Sequence, residues 1–263
     1  MGFNMTQKER RIFLIEYLLR ENPNYRDVQM PDDEDEQRYL LRSLMNIRPP
    51  QHTSKEFLRI QDSYLQEAIR QRGITDLADL KPVTERGNGD WYVWRGDITT
   101  LKVDAIVNAA NSGMTGCWQP CHACIDNCIH TFAGVQLRAV CAGIMQKQGH
   151  EEPTGSAKIT PAFNLPCKYV LHTVGPIVSG QLTERDCTLL ANCYTSCLNL
   201  AAENESIAFC CISTGVFRFP AQKAAEIAVA TVEDWKAKNN STMKIVFNVF
   251  SKQDEAIYNK LMS

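Results

Sequence analysis

The chain has 263 residues, 44% apolar and 22% charged, enough for a sizeable core and incompatible with collagen-like, mucin-like or wholly disordered architectures. The 28 Lys and Arg against 30 Asp and Glu leave a net charge of −2, so no basic field draws in nucleic acid or an anionic membrane, and an anionic ligand must be held locally. No apolar run approaches the roughly 18 residues of a membrane helix, and eleven cysteines, an odd number in a long chain, read as reduced thiols of a cytoplasmic protein.

Met1-Gly2 with Thr6 matches the loose myristoylation pattern, which is too permissive to carry an assignment. Thr6-Gln7-Lys8-Glu9 is a capping box, and Ile12, Phe13, Ile15, Leu18 and Leu19 keep helical spacing until Asn22-Pro23. The acidic run from Asp32 to Glu36 suits the positive end of a helix carrying Leu40, Leu41, Leu44 and Ile47. After Pro49-Pro50, Thr53-Ser54-Lys55-Glu56 offers a second box for a helix with Phe57, Ile60, Leu65 and Ile69, which Gly73 closes. Pro82, Gly87 and Gly89 mark a connector, so residues 1–85 read as a helical extension and 86–263 as the main domain.

From Trp91, apolar runs at 91–94, 105–107, 169–174, 207–212 and 245–250 read as strands. Helical stretches at about 124–147, 184–203, 221–238 and 253–262 alternate with the later ones. Such alternation predicts an α/β fold with a mostly parallel sheet, helices on both faces and ligands at the carboxyl ends of the strands.

Small and polar residues follow several strands: Gly96-Asp97-Ile98-Thr99, Asn108-Ala109-Ala110-Asn111-Ser112-Gly113 and Ser213-Thr214-Gly215-Val216-Phe217. Backbone amides in such turns suit a diphosphate without net positive charge, although each loop alone also reads as ordinary turn chemistry. The remaining concentration of chemistry is Cys117, Cys121, His122, Cys124 and Cys128, within twelve residues. Two thiolates and an imidazole suit Zn²⁺ with one position open, as in a catalytic site, whereas four ligands would close a structural zinc or iron–sulfur site.

Taken together, Gly96-Asp97-Ile98-Thr99, the run from Val103 to Asn111, Asp126-Asn127-Cys128-Ile129-His130 and the run from Ser213 to Phe217 resemble the macrodomain family of ADP-ribose-binding modules, from about residue 91 onward. The resemblance implies a three-layer α/β/α sandwich with a mixed, mostly parallel sheet. By the same resemblance Asp97 accepts from the adenine amino group, Ile98 lines the base pocket and Phe250 stacks on adenine. Asn108 counts among the nucleotide-binding positions, as do Ser213, Thr214, Gly215, Val216, Phe217 and Phe219, whose loop holds the diphosphate. Asn111 lies near the distal ribose, and Asp126 is the acid implicated in hydrolysis.

Two departures qualify the match. The glycine-rich run of hydrolytic macrodomains between Asn111 and Asp126 is replaced by the longer cysteine-bearing segment 116–124, which looks like the zinc-dependent microbial branch with its helical amino-terminal extension. That branch implies Zn²⁺ on Cys117, His122 and Cys124. Arg218 stands where the wider family has glycine, which permits close backbone approach. His130, four residues beyond Asp126, is within its reach or is a core histidine, and His172 on a buried strand reads as structural.

The implied activity is a zinc-dependent hydrolase that removes ADP-ribose from mono-ADP-ribosylated protein, at an ester of Asp or Glu. The rival is a non-catalytic ADP-ribose reader with structural zinc. Family resemblance adds a lipoyl carrier protein and a sirtuin-like ADP-ribosyltransferase as functional partners.

Overall fold

The computed structural model describes residues 5–25, 27–83 and 89–263; the Met1-Gly2 pattern and the boundary expected near residue 85 lie outside the described residues. Three helices come first, α1 (Gln7–Glu21), α2 (Glu34–Ile47) and α3 (Lys55–Arg72). The box at Thr6 forms as expected: its hydroxyl accepts from the Glu9 amide while the Glu9 carboxylate accepts from the Thr6 amide. Asp33 caps α2 by accepting from the amides of Asp35 and Glu36. The second box does not form: Ser54 rather than Thr53 caps α3, its hydroxyl accepting from the amide of Phe57, whose side chain has no acceptor to return the bond.

The apolar stripes of these helices meet in a core that includes Leu14, Leu18, Leu41, Leu44, Phe57 and Ile60. Buried arginines lock the helices together at its edge. Arg11 donates from Nε to Gln37 at 3.0 Å and pairs with Glu34 at 3.0 Å, and Arg48 grips Glu21 through two hydrogen bonds of 2.6 and 2.8 Å.

Next come β1 (Thr75–Asp76), β2 (Trp91–Arg95), β3 (Leu101–Lys102), β4 (Ala105–Ala110), α4 (Ile125–Ala133), α5 (Val135–Gln148), β5 (Ala157–Pro161) and β6 (Tyr169–Val174). The chain ends with α6 (Glu184–Leu200), β7 (Ser206–Phe209), α7 (Ala221–Asn239), β8 (Lys244–Val249) and α8 (Lys252–Met262). Six strands form a sheet in the order β2-β8-β7-β4-β6-β5, parallel throughout except where β5 runs against β6. Consecutive buried residues along β6, β7 and β8 show that both faces are covered, completing the expected three-layer sandwich.

All five expected strands are present, 169–174 with its ends unchanged and the other four with altered ends, and three details differ from expectation. The run 207–212 leaves the sheet after Phe209. The edge strand β5 was not expected, since Lys158, Thr160 and Pro161 interrupt any apolar run there. The single helix expected over 124–147 is two helices broken at Gly134.

The extension is continuous with the main domain. Past α3 the chain enters β1, which pairs in parallel with β3, and Ile69 and Leu77 join the core under the sheet. Conversely, Val135 of α5 joins the core of the three helices. A polar seam runs alongside: Gln61 accepts from the Val135 amide at 3.0 Å, and Asp62 accepts from Gln136 and Asn164 at 2.8 Å each. Among the described residues no single helix is long and apolar enough to cross a membrane.

Gly134 sits where this seam meets the break, at φ +98° and ψ 171°, a region open essentially to glycine alone. A Cβ there would lie 2.6 Å from Gln136 Oε1 and 2.7 Å from the buried Gln61 Nε2. Gly134→Ala should therefore lower unfolding free energy by about 2 kcal/mol or more in urea denaturation. A change below about 0.5 kcal/mol would show that the seam yields without penalty.

Candidate functional site

The carboxyl ends of β2, β8, β7 and β4 lie side by side, and each is followed by one of the segments singled out in the sequence. Asp97 follows β2, Phe250 follows β8, the Ser213 loop follows β7, and Asn111 follows β4. Three strand spacings of about 4.8 Å separate the first from the last, a span of about 14 Å.

At the β2 end, Asp97 caps a single 3₁₀ turn (Ile98–Thr100). Its Oδ1 accepts from the Thr99 amide at 2.9 Å and hydroxyl at 2.6 Å, and its Oδ2 pairs with Arg72 from the end of α3. Arg72 in turn lies 3.9 Å over the Phe132 ring. The sequence offered no sign that the extension reaches this acid. Ile98 is buried in the core beneath the turn. Phe250 is 88% exposed, so its ring is free for stacking and takes no part in core packing.

In the β7 loop, Ser213 and Arg218 both adopt left-handed backbone, at φ +65° and +58°. That explains why glycine suits the position of Arg218, whose side chain is exposed. The amides of Thr214, Arg218 and Phe219 are used inside the loop, on the carbonyls of Cys211, Gly215 and Ser213. Gly215, Val216 and Phe217 form the stretch between them. Phe219 corrects an expectation: its side chain is in the core and its amide is already bonded, so it shapes the loop and offers nothing to a ligand.

At the β4 end the key group is the Asp126 carboxylate, in the first turn of α4 and 5% exposed. Asn108 donates to its Oδ1 at 2.7 Å and Asn111 to its Oδ2 at 3.2 Å. Asn111 also donates to the Gly116 carbonyl at 3.1 Å and accepts from the Gly113 amide at 3.0 Å, which fixes the start of the loop. Burial pushes the Asp126 pKa up to about 6, against the opposing pull of Asn108, Arg138 and Asn111.

Asn108 is also placed differently from expectation. It is fully buried, and its amide contacts Asp126 and, at 3.1 Å, His172 Nδ1 rather than the cleft. The sheet register sets this contact, since Asn108 of β4 lies opposite His172 of β6. His172 Nδ1 accepts from Asn108, so Nε2 carries the proton and meets the Thr160 hydroxyl at 2.9 Å. His172 thus belongs to a chain of contacts ending on Asp126. The same tautomer argues against a metal among His130, Cys141 and His172, although their ligand atoms are close together. His130 Nε2 lies 3.6 Å from Asp126 Oδ1, beyond hydrogen-bond reach, and burial lowers its pKa well below the ordinary value.

Between Asn111 and α4 the loop brings Cys117, His122 and Cys124 together, with one ligand atom from each within 4.8 Å of the others. A tetrahedral zinc with bonds of about 2.3 Å to sulfur and about 2.05 Å to nitrogen holds such atoms about 3.6 Å apart. Cys117 Sγ and His122 Nδ1 are separated by 3.6 Å. Burial, reinforced by Cys117, pushes the Cys124 thiol up to about 12, a pairing of sulfurs that a dication would turn in favour of thiolates. The donor set fits zinc.

Cys121 and Cys128 do not join the trio. Cys121 Sγ lies 3.2 Å from Ser43 Oγ, and Cys128 Sγ accepts from Arg42 at 3.5 Å, both from α2. Nor do Cys121, Cys124 and Cys128 share a helix face: α4 begins at Ile125, with Cys124 as its cap and Cys121 in the loop.

The Macro domain family matches residues 107–228. A chain from Treponema medium named Protein-ADP-ribose hydrolase is 91% identical over 261 residues, covering 98% of this chain and 100% of that one. A Staphylococcus aureus protein of the same name is 50% identical over 257 residues, covering 96% of this chain and 95% of its own. Among solved structures, the Trypanosoma brucei macrodomain in complex with ADP-ribose superposes with a TM-score of 0.66 at 26% identity, covering 89% of this chain and 97% of that one.

Burial lowers the His172 pKa to about 4, well below that of a solvated imidazole. Between that value and about 6.5 the unfolded chain binds the extra proton, so stability is full above about pH 6.5 and falls as pH drops towards 4. His172 should contribute a loss of roughly 1 kcal/mol per pH unit in that window, read by urea denaturation, so His172→Asn should be less pH-sensitive than wild type by that amount, the share of the other buried histidine, His130, remaining. Parallel pH profiles for the two proteins would exclude a neutral buried imidazole.

Proposed function

The chain belongs to the macrodomain family, and on that premise we propose that it is a protein-ADP-ribose hydrolase that uses zinc to release ADP-ribose from ester-linked acidic residues of a modified protein. The observation that carries this reading is the convergence of Cys117, His122 and Cys124 in the loop that runs from Asn111 into the helix of Asp126. Two relatives covered almost end to end carry the hydrolase name, and a structural neighbour binds ADP-ribose.

The row of strand ends suits the parts of that ligand in order. Phe250 offers an exposed ring for adenine, and Asp97 an acceptor for its amino group once shared with Arg72. Gly215, Val216 and Phe217 offer amides to the diphosphate, with Ser213 and Thr214 shaping the turn. Asn111 fixes the distal ribose beside Asp126.

The chemical step breaks the bond between the anomeric carbon and the acyl oxygen, whose electron pair leaves with the protein carboxylate, while a water oxygen bonds to the anomeric carbon. Asp126 orients that water and takes its proton, a task suited to a carboxylate with a pKa near 6. Asn108 and Asn111 keep its two oxygens directed. Cys117, His122 and Cys124 would hold zinc, which when bound would supply Lewis-acid chemistry beside Asp126.

The eleven unpaired cysteines support a reducing, cytoplasmic setting. The family resemblance supplies a sirtuin-like ADP-ribosyltransferase and a lipoyl carrier protein as partners.

Incubation with an ester-linked ADP-ribosylated protein should release ADP-ribose, stop with a chelator and resume with added zinc. Asp126→Asn should lower kcat about 10²-fold or more while ADP-ribose affinity changes little. Cys117→Ser should lose bound metal. Binding without release would instead identify an ADP-ribose reader, and release indifferent to chelation would remove zinc from the reaction.

A further inference from the structure

We infer that helix α2 of the amino-terminal extension is the mould of the metal-binding loop, with Asn46 and Arg42 as its positioning residues. The inference rests on the zinc reading above for its ligand, but its contacts stand independently.

The segment from Ser112 to Cys124 has no helix or strand of its own. It turns through left-handed backbone at Met114 (φ +60°), Gly116 (φ +84°) and Cys121 (φ +53°). Cys121 has a Cβ and therefore needs outside support for that conformation. Asn46, 1% exposed, provides it: Oδ1 accepts from the Cys121 amide at 2.9 Å, and Nδ2 anchors on Thr131 Oγ1 of α4 at 2.8 Å. Both ends of one buried amide thus join the loop to the helix that follows it.

Arg42 acts one turn earlier on α2. Its Nη2 donates to the His122 carbonyl and to Asn127 Oδ1, each at 2.9 Å. Asn127 then reaches back to the carbonyls of Gln119 at 2.9 Å and Cys117 at 3.4 Å, and its own amide donates to Cys124 Sγ at 3.4 Å. Arg42 therefore holds His122 directly and Cys117 through the Asn127 side chain, while Cys124 is fixed as the cap of α4. Arg138 closes the other side. It donates to the Thr115 carbonyl at 2.7 Å and the Arg48 carbonyl at 2.8 Å, and lies 4.2 Å over the Trp118 ring.

A ligand set held in place before the ion arrives does not lose loop entropy on binding, so these clamps should act on metal affinity more than on nucleotide affinity. The test uses the full chain. Zinc affinity of wild type, Asn46→Ala and Arg42→Ala is measured by competition with a chelating dye, with the Co²⁺ absorption spectrum and the ADP-ribose Kd read in parallel. Both variants should bind zinc about 10–100-fold more weakly and show an altered Co²⁺ spectrum, while the ADP-ribose Kd stays within about twofold. If either alanine variant fails to fold, Arg42→Met, which keeps the apolar stem but removes the donors to the His122 carbonyl and Asn127, should still weaken zinc several-fold.

Zinc affinities within about twofold of wild type in the variants would overturn the inference and leave the metal reading standing. A wild-type chain that binds no zinc would overturn both.

Discussion

A carboxylate removed from water is tolerable only where donors replace the solvent, and the arrangement around Asp126 follows from that requirement. Its two oxygens are met by the amides of Asn108 and Asn111, at either end of the stretch where β4 gives way to the loop. The first turn of α4 adds its positive end. Asn108 in turn owes its orientation to His172 and, through it, to Thr160 on β5. The pairing of β4, β6 and β5 therefore determines how a group in the cleft is presented, and a slip of one residue in that register would turn Asn108 to the opposite face.

The extension serves the same end from the other side. Its three helices make their own small core, but its polar residues face outward to the main domain: Arg72 on Asp97, Gln61 and Asp62 around Gly134, and Arg42 and Asn46 on the loop. Apolar burial at Ile69, Leu77 and Val135 joins the extension to the main domain, and directional hydrogen bonds set where its polar side chains touch it. This division suits a support, since hydrogen bonds fix geometry where apolar contacts allow slippage.

What the sequence revealed depended on how local each signal was. The cap at Thr6, the acidic start of α2, the closure at Gly73 and five of the strands from Trp91 onward were legible because each is encoded within a few residues. The cysteine cluster at 117–128 stood out locally, but its spacing left three-ligand and four-ligand sites open; the choice of Cys117, His122 and Cys124 came from the family resemblance, and the fold brings those three ligand atoms together. The break at Gly134 was not legible, because an isolated glycine is tolerated inside a helical pattern, and neither its φ of +98° nor its fit against Gln61 shows in the sequence. Nor could an apolar run show that residues beyond Phe209 leave the sheet, or that Phe219 points into the core, since buried loops and strands share a composition. Asn108 looked like a ligand contact within its motif, and only the strand register reveals that it serves Asp126. The contacts of Arg42 and Asn46 join residues 75 to 86 positions apart and leave no periodic trace.

That separation has a direction. Synthesis delivers α2 well ahead of the cysteine-bearing loop, and amino-terminal elements are the first to emerge and organise on the ribosome. The helix whose side chains receive the backbone of Cys121 and His122 thus precedes them in synthesis, so the loop can be shaped against it as translation proceeds rather than afterwards.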